Sequence, residues 1–240
     1  MTAPVNIAIP SKIAGGPPRP VKAVVFDFDG TLAGLEIDFD LMRREISRLC
    51  LEFGVGNGLS SQYVLEMIAA AESLLSARDP GKAQLFAARA KGIIEDIELE
   101  AARRGRLFPE TRPALAALKN AGLGLAIITR NFGRAVRIVF PDLDDFVPVF
   151  LPREAVPKVK PDPGHLLTAL KALAASPDSS LMVGDHPLDI ETGQRAGTMT
   201  AGVASGRIGR DELSGAGADA AFDRLADLAD FLLGRPSRPR

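Results

Sequence analysis

Apolar residues along the 240-residue chain fall into two alternating patterns. One is a short unbroken run: VKAVVF (21–26), LGLAIIT (123–129), FVPVFL (146–151), SLMVGD (180–185) and TMTAGVA (198–204). Such runs suit strands buried on both faces of a parallel sheet. The stretches between them are long enough for a helix or its connection. Strand alternating with helix predicts an α/β fold, a Rossmann-like parallel sheet flanked by helices.

The interval from Thr31 to Phe108 breaks this rhythm with the second pattern, apolar residues at three- and four-residue steps. Phe39, Met42, Ile46, Leu49, Cys50 and Phe53 form one such stripe. Tyr63, Val64, Met67, Ile68, Ala71 and Leu75 form a second. Phe86, Ala90, Ile93, Ile94 and Ile97 form a third, on a helix expected from about Lys82 to Arg104. The chain is therefore expected to divide into an α/β core (21–33 and 107–240) and a small all-helical cap (34–106) inserted after the first strand. Gly34 and Gly105 mark the two crossings. GVGNG (54–58) reads as a helix-to-helix turn rather than a phosphate loop, because no strand precedes it. Residues 1–20, with five prolines, read as a flexible tail in which VNIAI can still form a short strand.

Composition narrows the function by exclusion. Lys and Arg number 29 against 30 Asp and Glu, a formal net charge of -1, which gives no electrostatic case for nucleic acid or an anionic membrane surface. Cys50, the only cysteine, sits between Leu49 and Leu51 and reads as a buried thiol. Pro and Gly break the first twenty residues before a leader core or a membrane span can form, so a cytoplasmic chain is expected.

In an open parallel sheet, ligands bind at the carboxyl ends of the strands. The first run delivers DFDGTL (27–32), the second Thr129 with Arg130 and Asn131, and the fourth GDHPLD (184–189). Between the last two lies PKVKPDPGH (157–165). Carboxylates, a hydroxyl and an ammonium group thus converge on one edge of one sheet, where a divalent cation and a phosphate dianion both find partners.

This order of motifs resembles the haloacid dehalogenase superfamily, over roughly residues 21–232, and within it the phosphoglycolate phosphatase-like branch with a helical cap. ADAAFDRLADL (218–228) resembles that branch's closing strand and helix. The resemblance implies a Mg2+-dependent phosphatase acting on a small phosphorylated metabolite through an aspartyl phosphate, as a monomer or homodimer. It casts Asp27 as nucleophile and Asp29 as general acid and base. It implies that Thr129 and Lys160 bind and neutralise the transferring phosphoryl group, with Gly30 and Thr31 shaping the turn and the amides near Arg130 and Asn131 adding donors. KPDP favours Lys160 over Lys158. Asp27, the Asp29 carbonyl and Asp185 are the implied magnesium ligands, and Asp189, one helical turn after Asp185, supports them from behind. The chain departs from commoner members in having Arg130 after the threonine and in lacking an acidic or serine pair after DGTL.

Blander readings exist for each motif taken alone. DFDGTL also suits a strand-ending turn of solvated acids, GDHPLD a helix start with Pro187 in its first turn, and KPDP a plain loop. His186 is a candidate base or substrate contact beside Asp185. Arg43, Arg44, Arg78 and Lys82 are the cap cations available to a substrate. PDLDDF (141–146) reads as an acidic loop before a strand. A phosphomutase of the same superfamily and a non-catalytic module keeping the fold are the alternatives; dehalogenase and phosphonatase chemistry fit the acid at Asp29 less well. DFD occurs twice, and the second copy (38–40) opens the first cap helix, where Asp38 is placed to cap free amides, Asp40 lies near the positive end of the dipole and Phe39 is expected to begin the apolar face.

Overall fold

The computed structural model describes residues 8–9, 19–56 and 63–236. Six parallel strands form the main sheet: β1 (Ala23–Phe26), β2 (Gly124–Ile128), β3 (Val149–Leu151), β4 (Ser180–Gly184), β5 (Met199–Val203) and β6 (Ala220–Phe222). Their spatial order is β6-β5-β4-β1-β2-β3. The first strand in sequence is thus central, with Ala23 paired to Gly124 on one side and to Ser180 on the other. All four residues of β1 are buried, which is why AVVF carries no polar position until the strand ends at Asp27. The run FVPVFL yields a strand only from Val149. Phe146 ends a helical turn, and Pro148 has no N–H to give a ladder.

Two compact units result, one comprising the chain up to Leu35 with Gly105 onward, the other Glu36–Arg104. In the first unit, Ala33–Gly34 pairs antiparallel with Arg106–Leu107, so the outgoing and returning chain form one short ribbon. Ala8–Ile9 pairs with Arg19–Pro20, a two-residue strand within VNIAI. The remainder of the proline-rich start lies outside the described residues, as do residues 57–62, which include the end of GVGNG.

The second unit is α1 (Phe39–Glu52), α2 (Val64–Ser76) and α3 (Pro80–Arg104). Met42, Ile46, Leu49 and Cys50 of α1, and Val64, Met67, Ala71 and Leu75 of α2, are buried at the spacing the pattern gives. Phe53 meets Phe86 edge to face at 5.5 Å between centroids. Two expectations are corrected. Phe39 is 47% exposed, so the buried stripe of α1 begins a turn later, at Met42. The third helix starts at Pro80 rather than near Lys82, because Asp79 accepts the Lys82 amide and proline needs no donor at a first helical position.

Asp38 caps α1 as its position implies, accepting the Leu41 amide at 2.7 Å. Asp38→Ala removes one of the acceptors that the first turn's amides need and is expected to cost about 0.5 to 2 kcal/mol. Urea denaturation followed by circular dichroism checks this; a midpoint equal to that of the parent protein would mean that water serves the amide as well.

On the core, α4 (Thr111–Asn120), α5 (Gly133–Val139), α6 (Leu143–Phe146), α7 (Pro163–Ala172), α8 (Pro187–Ala196) and α9 (Arg210–Gly215) lie between successive strands, and α10 (Leu225–Leu232) follows the last. PDLDDF is not a loop but contains α6, a single turn. Two of its three carboxylates are matched from neighbouring helices: Arg112 holds Asp142 at 2.6 and 2.8 Å, and Arg137 holds Asp144 at 2.8 and 3.1 Å. Each guanidinium keeps its carboxyl below the usual carboxylate range. Among the described residues no helix is long and apolar enough to cross a membrane.

Candidate active site

The carboxyl ends of β1, β2 and β4 and the loop before α7 bring the predicted residues of the core to one place. Asp27 follows β1 directly, and its amide continues the ladder to Val183 at 2.8 Å. Lys160 is 2% exposed and reaches Oδ1 of Asp27 and Oδ1 of Asp189 with its ammonium, both at 2.6 Å. Asp27, Asp185 and Asp189 each offer a carboxylate oxygen within 4.8 Å of the others, a group able to hold a metal ion. The Lys158 side chain is exposed, so the geometry separates the two lysines.

One cation does not balance this many acids. Burial first, then the charges of Asp27, Asp189 and Asp29, push the Asp185 carboxyl up to about 8. Asp189 is pushed up to about 6, chiefly by burial, against the opposing pull of Lys160. Burial lowers the affinity of Lys160 for its proton, but the two carboxylates outweigh it and the ammonium is held above its ordinary value. Crowded hard oxygens, with the Asp185 carboxyl raised above neutrality, are what a divalent cation relieves.

The turn after Asp27 is built around Asp185. The Thr31 hydroxyl donates to Asp185 Oδ1 at 3.1 Å. Gly30 has φ +86°, and a Cβ there would stand 2.1 Å from Asp185 Oδ2. Asp29 Oδ1 accepts the Leu35 amide at 2.8 Å, which ties the turn to the ribbon behind it.

The Thr129 loop is folded on itself. Thr129 Oγ1 donates to Asn131 Oδ1 at 2.7 Å and accepts the Asn131 amide at 3.1 Å. The first amide of α5, that of Gly133, is taken by the Glu154 carboxylate at 3.0 Å. Two of the amides expected to serve a phosphate are therefore bonded within the protein in this conformation. His186 is the N-cap of α8: its Nδ1 accepts the Leu188 amide at 3.1 Å, and Asp189 Oδ2 accepts the His186 amide at 3.2 Å, a reciprocal cap. Burial lowers the His186 imidazole below its ordinary value. Of the cap cations, Arg43 reaches Met67 Sδ at 3.4 Å within the helical unit, and Arg44, Arg78 and Lys82 are exposed.

Residues 24–203 match the model of the haloacid dehalogenase-like hydrolases. The chain belongs to that family. Over 215 residues, 87% of this chain and 94% of the relative, it is 31% identical to N-acetylmuramic acid 6-phosphate phosphatase of Pseudomonas putida. Over 117 residues, 48% of this chain, it is 38% identical to pyrophosphatase PpaX of Bacillus cereus, and that match spans only about half, 54%, of the relative. Among solved structures, a haloacid dehalogenase-like hydrolase of Bacteroides fragilis superposes with a TM-score of 0.62 at 24% identity, over 87% of this chain and 99% of the other, a likeness of fold.

Two parts of the site escape the motif reading. The turn after β5 comes back to it: the Ser205 hydroxyl donates to the Gly30 carbonyl at 2.7 Å, and a Cβ on Gly206 would stand 1.9 Å from Asp185 Oδ2. Asp185 is thus slotted between two glycines from different loops. The signal was SG directly after a buried strand, at the same carboxyl edge as the other motifs. The second is His165, fully buried behind Lys160. Its Nε2 lies 2.9 Å from the Leu151 carbonyl, and its Nδ1 lies 3.4 Å from the Lys160 amide. Burial pushes its imidazole down to about 4, so it is neutral at neutral pH, and these partners select the tautomer protonated at Nε2.

Proposed function

We propose that this protein is a magnesium-dependent phosphatase that hydrolyses a small phosphate monoester through an aspartyl phosphate on Asp27. The observation that carries the reading is the Asp27 carboxylate at the end of the central strand, held by a buried ammonium and standing within 4.8 Å of the Asp185 and Asp189 carboxylates. The relative named for N-acetylmuramic acid 6-phosphate, matched along nearly its whole length, supports an ester of this kind.

In this reading the Asp27 carboxylate attacks phosphorus as the ester oxygen departs, and Asp29 gives that oxygen its proton. Asp29 then takes a proton from the water that attacks the acyl phosphate, freeing phosphate and restoring Asp27. Lys160 offsets the charge that two anions would otherwise bring together and fixes which Asp27 oxygen faces the substrate. Thr129 turns its hydroxyl from Asn131 to a phosphoryl oxygen. Asp27, Asp185 and the Asp29 carbonyl would hold magnesium; Asp189, bonded to Lys160 and to the His186 amide, braces the lysine. Magnesium, when bound, supplies positive charge to the carboxylates and the phosphoryl oxygens.

A panel of phosphate esters assayed with magnesium and with a chelator tests this. At least one ester is expected to turn over only with magnesium, and beryllofluoride is expected to raise the melting temperature only when magnesium is present. A folded protein that hydrolyses no ester, or hydrolyses equally well under chelation, would sink the proposal.

A further inference from the structure

We propose that Arg130 is a positioning residue that holds Lys160 against Asp27 through the lysine's own main chain, and that it does not serve as a cation for the substrate. Arg130 follows Thr129 on the loop after β2, which by position offers its charge to an incoming anion. The half-buried guanidinium instead donates through Nη1 to the Lys160 carbonyl. The next carbonyl, that of Pro161, receives Arg195 at 3.1 Å. On the other side of the same residue, the Lys160 amide faces His165. Arg130 is itself fixed, since Arg153 Nη1 donates to its carbonyl at 2.8 Å and the Arg153 amide donates to the Asn131 carbonyl at 3.2 Å.

The consequence lies in leverage. A lysine side chain has four rotatable bonds, and an ammonium that must sit 2.6 Å from two carboxylates at once is only as well placed as its Cα. The loop carrying Lys160 belongs to no strand; the Asp162 amide closes a local turn on the Val159 carbonyl at 3.0 Å, and these side-chain bonds tie that turn to its neighbours. Arg130 joins that loop to the one bearing Thr129 and Asn131, and the two halves of the phosphoryl site move as one piece.

The rate arm of this proposal rests on the phosphatase reading, so the test has a second arm that does not. Arg130→Ala and Arg130→Lys are compared with the parent protein for kcat, KM and inhibition by inorganic phosphate. Labelling of Lys160 by an amine-acylating reagent is followed in parallel by peptide mass spectrometry, with the exposed Lys158 as internal standard. Arg130→Ala is expected to lower kcat at least 10-fold, to change KM and the phosphate inhibition constant less than 3-fold, and to speed Lys160 labelling at least 10-fold relative to Lys158. Arg130→Lys, which keeps a donor, is expected to recover part of the rate and of the protection. A KM raised 10-fold with kcat kept and Lys160 still protected would make Arg130 a substrate contact and overturn the proposal. Wild-type rate and protection in Arg130→Ala would overturn it too. If Arg130→Ala does not fold, Arg130→Lys decides by the same two readouts, equal protection with a raised KM counting against. Absence of turnover in the parent, with Lys160 unmasked in the variant, would sink the phosphatase reading and leave the clamp standing.

Discussion

Asp27→Asn and Asp29→Asn are each expected to melt within a few degrees of the parent protein while losing turnover by roughly a thousandfold or more, about 4 kcal/mol of transition-state stabilisation. The fold survives because each amide keeps the bond that the carboxylate makes. An Asn oxygen at position 27 still accepts from the Lys160 ammonium, and one at position 29 still accepts from the Leu35 amide. On the proposed mechanism the chemistry does not survive. An amide is a poor nucleophile at phosphorus, and at position 29 it neither donates nor takes the proton that each half-reaction must move. Thermal melting and turnover on the best ester, measured side by side, check this. A folded Asp27→Asn protein with normal turnover would remove the aspartyl phosphate from the mechanism.

Lys160→Met and Lys158→Met form the second contrast, and here stability and rate move together. Lys160 is the cation shared by Asp27 and Asp189, and Asp189 is itself buried. Removing one member of a buried ionic group leaves the others uncompensated, which costs about 3 to 5 kcal/mol unless a proton is taken up. Lys160→Met is therefore expected to melt lower, to recover part of the loss when magnesium is added, and to retain less than a hundredth of the turnover. Lys158 is exposed, and its replacement is expected to change stability by less than about 0.5 kcal/mol and turnover hardly at all. Denaturation with and without magnesium, together with turnover, separates the two; equal losses would return the assignment between the lysines to an open question.

Why the sequence spoke clearly at some positions and not at others follows from how far each contact reaches. VKAVVF shows itself as a buried strand because burial on both faces leaves no polar position for four residues, and its end at Asp27 is marked by the first acid. The stripes of α1 and α2 show themselves because helical neighbours lie three and four residues apart. Asp38 shows itself as a cap because its partner is only three residues on. By contrast, Thr31 meets Asp185 across 154 residues and Ser205 meets Gly30 across 175, and no local period encodes such pairs. The pairing of Arg112 with Asp142, 30 residues apart, is hidden for the same reason. Phe39 fits the stripe by spacing and lies exposed because burial at a helix end depends on what packs there, not on the period.

The central place of β1 has a consequence for the order in which the chain acquires structure. The strand bearing Asp27 is made before either of its neighbours, since its partners begin at Gly124 and Ser180. Glu36–Arg104, a unit of three consecutive helices, closes by contacts between near neighbours in sequence, which form quickly and early during synthesis. The first apolar strand must then wait for its first hydrogen-bonding partner until Gly124 is made, and for its second until Ser180. Such a segment is the part of a nascent chain most exposed to mispairing with another copy and to capture by a chaperone. Because Asp27, Thr129, Lys160 and Asp185 come together only when that strand is finally flanked on both sides, the divalent-cation binding proposed for this site would report the closing of the sheet, and would be absent from every shorter nascent chain.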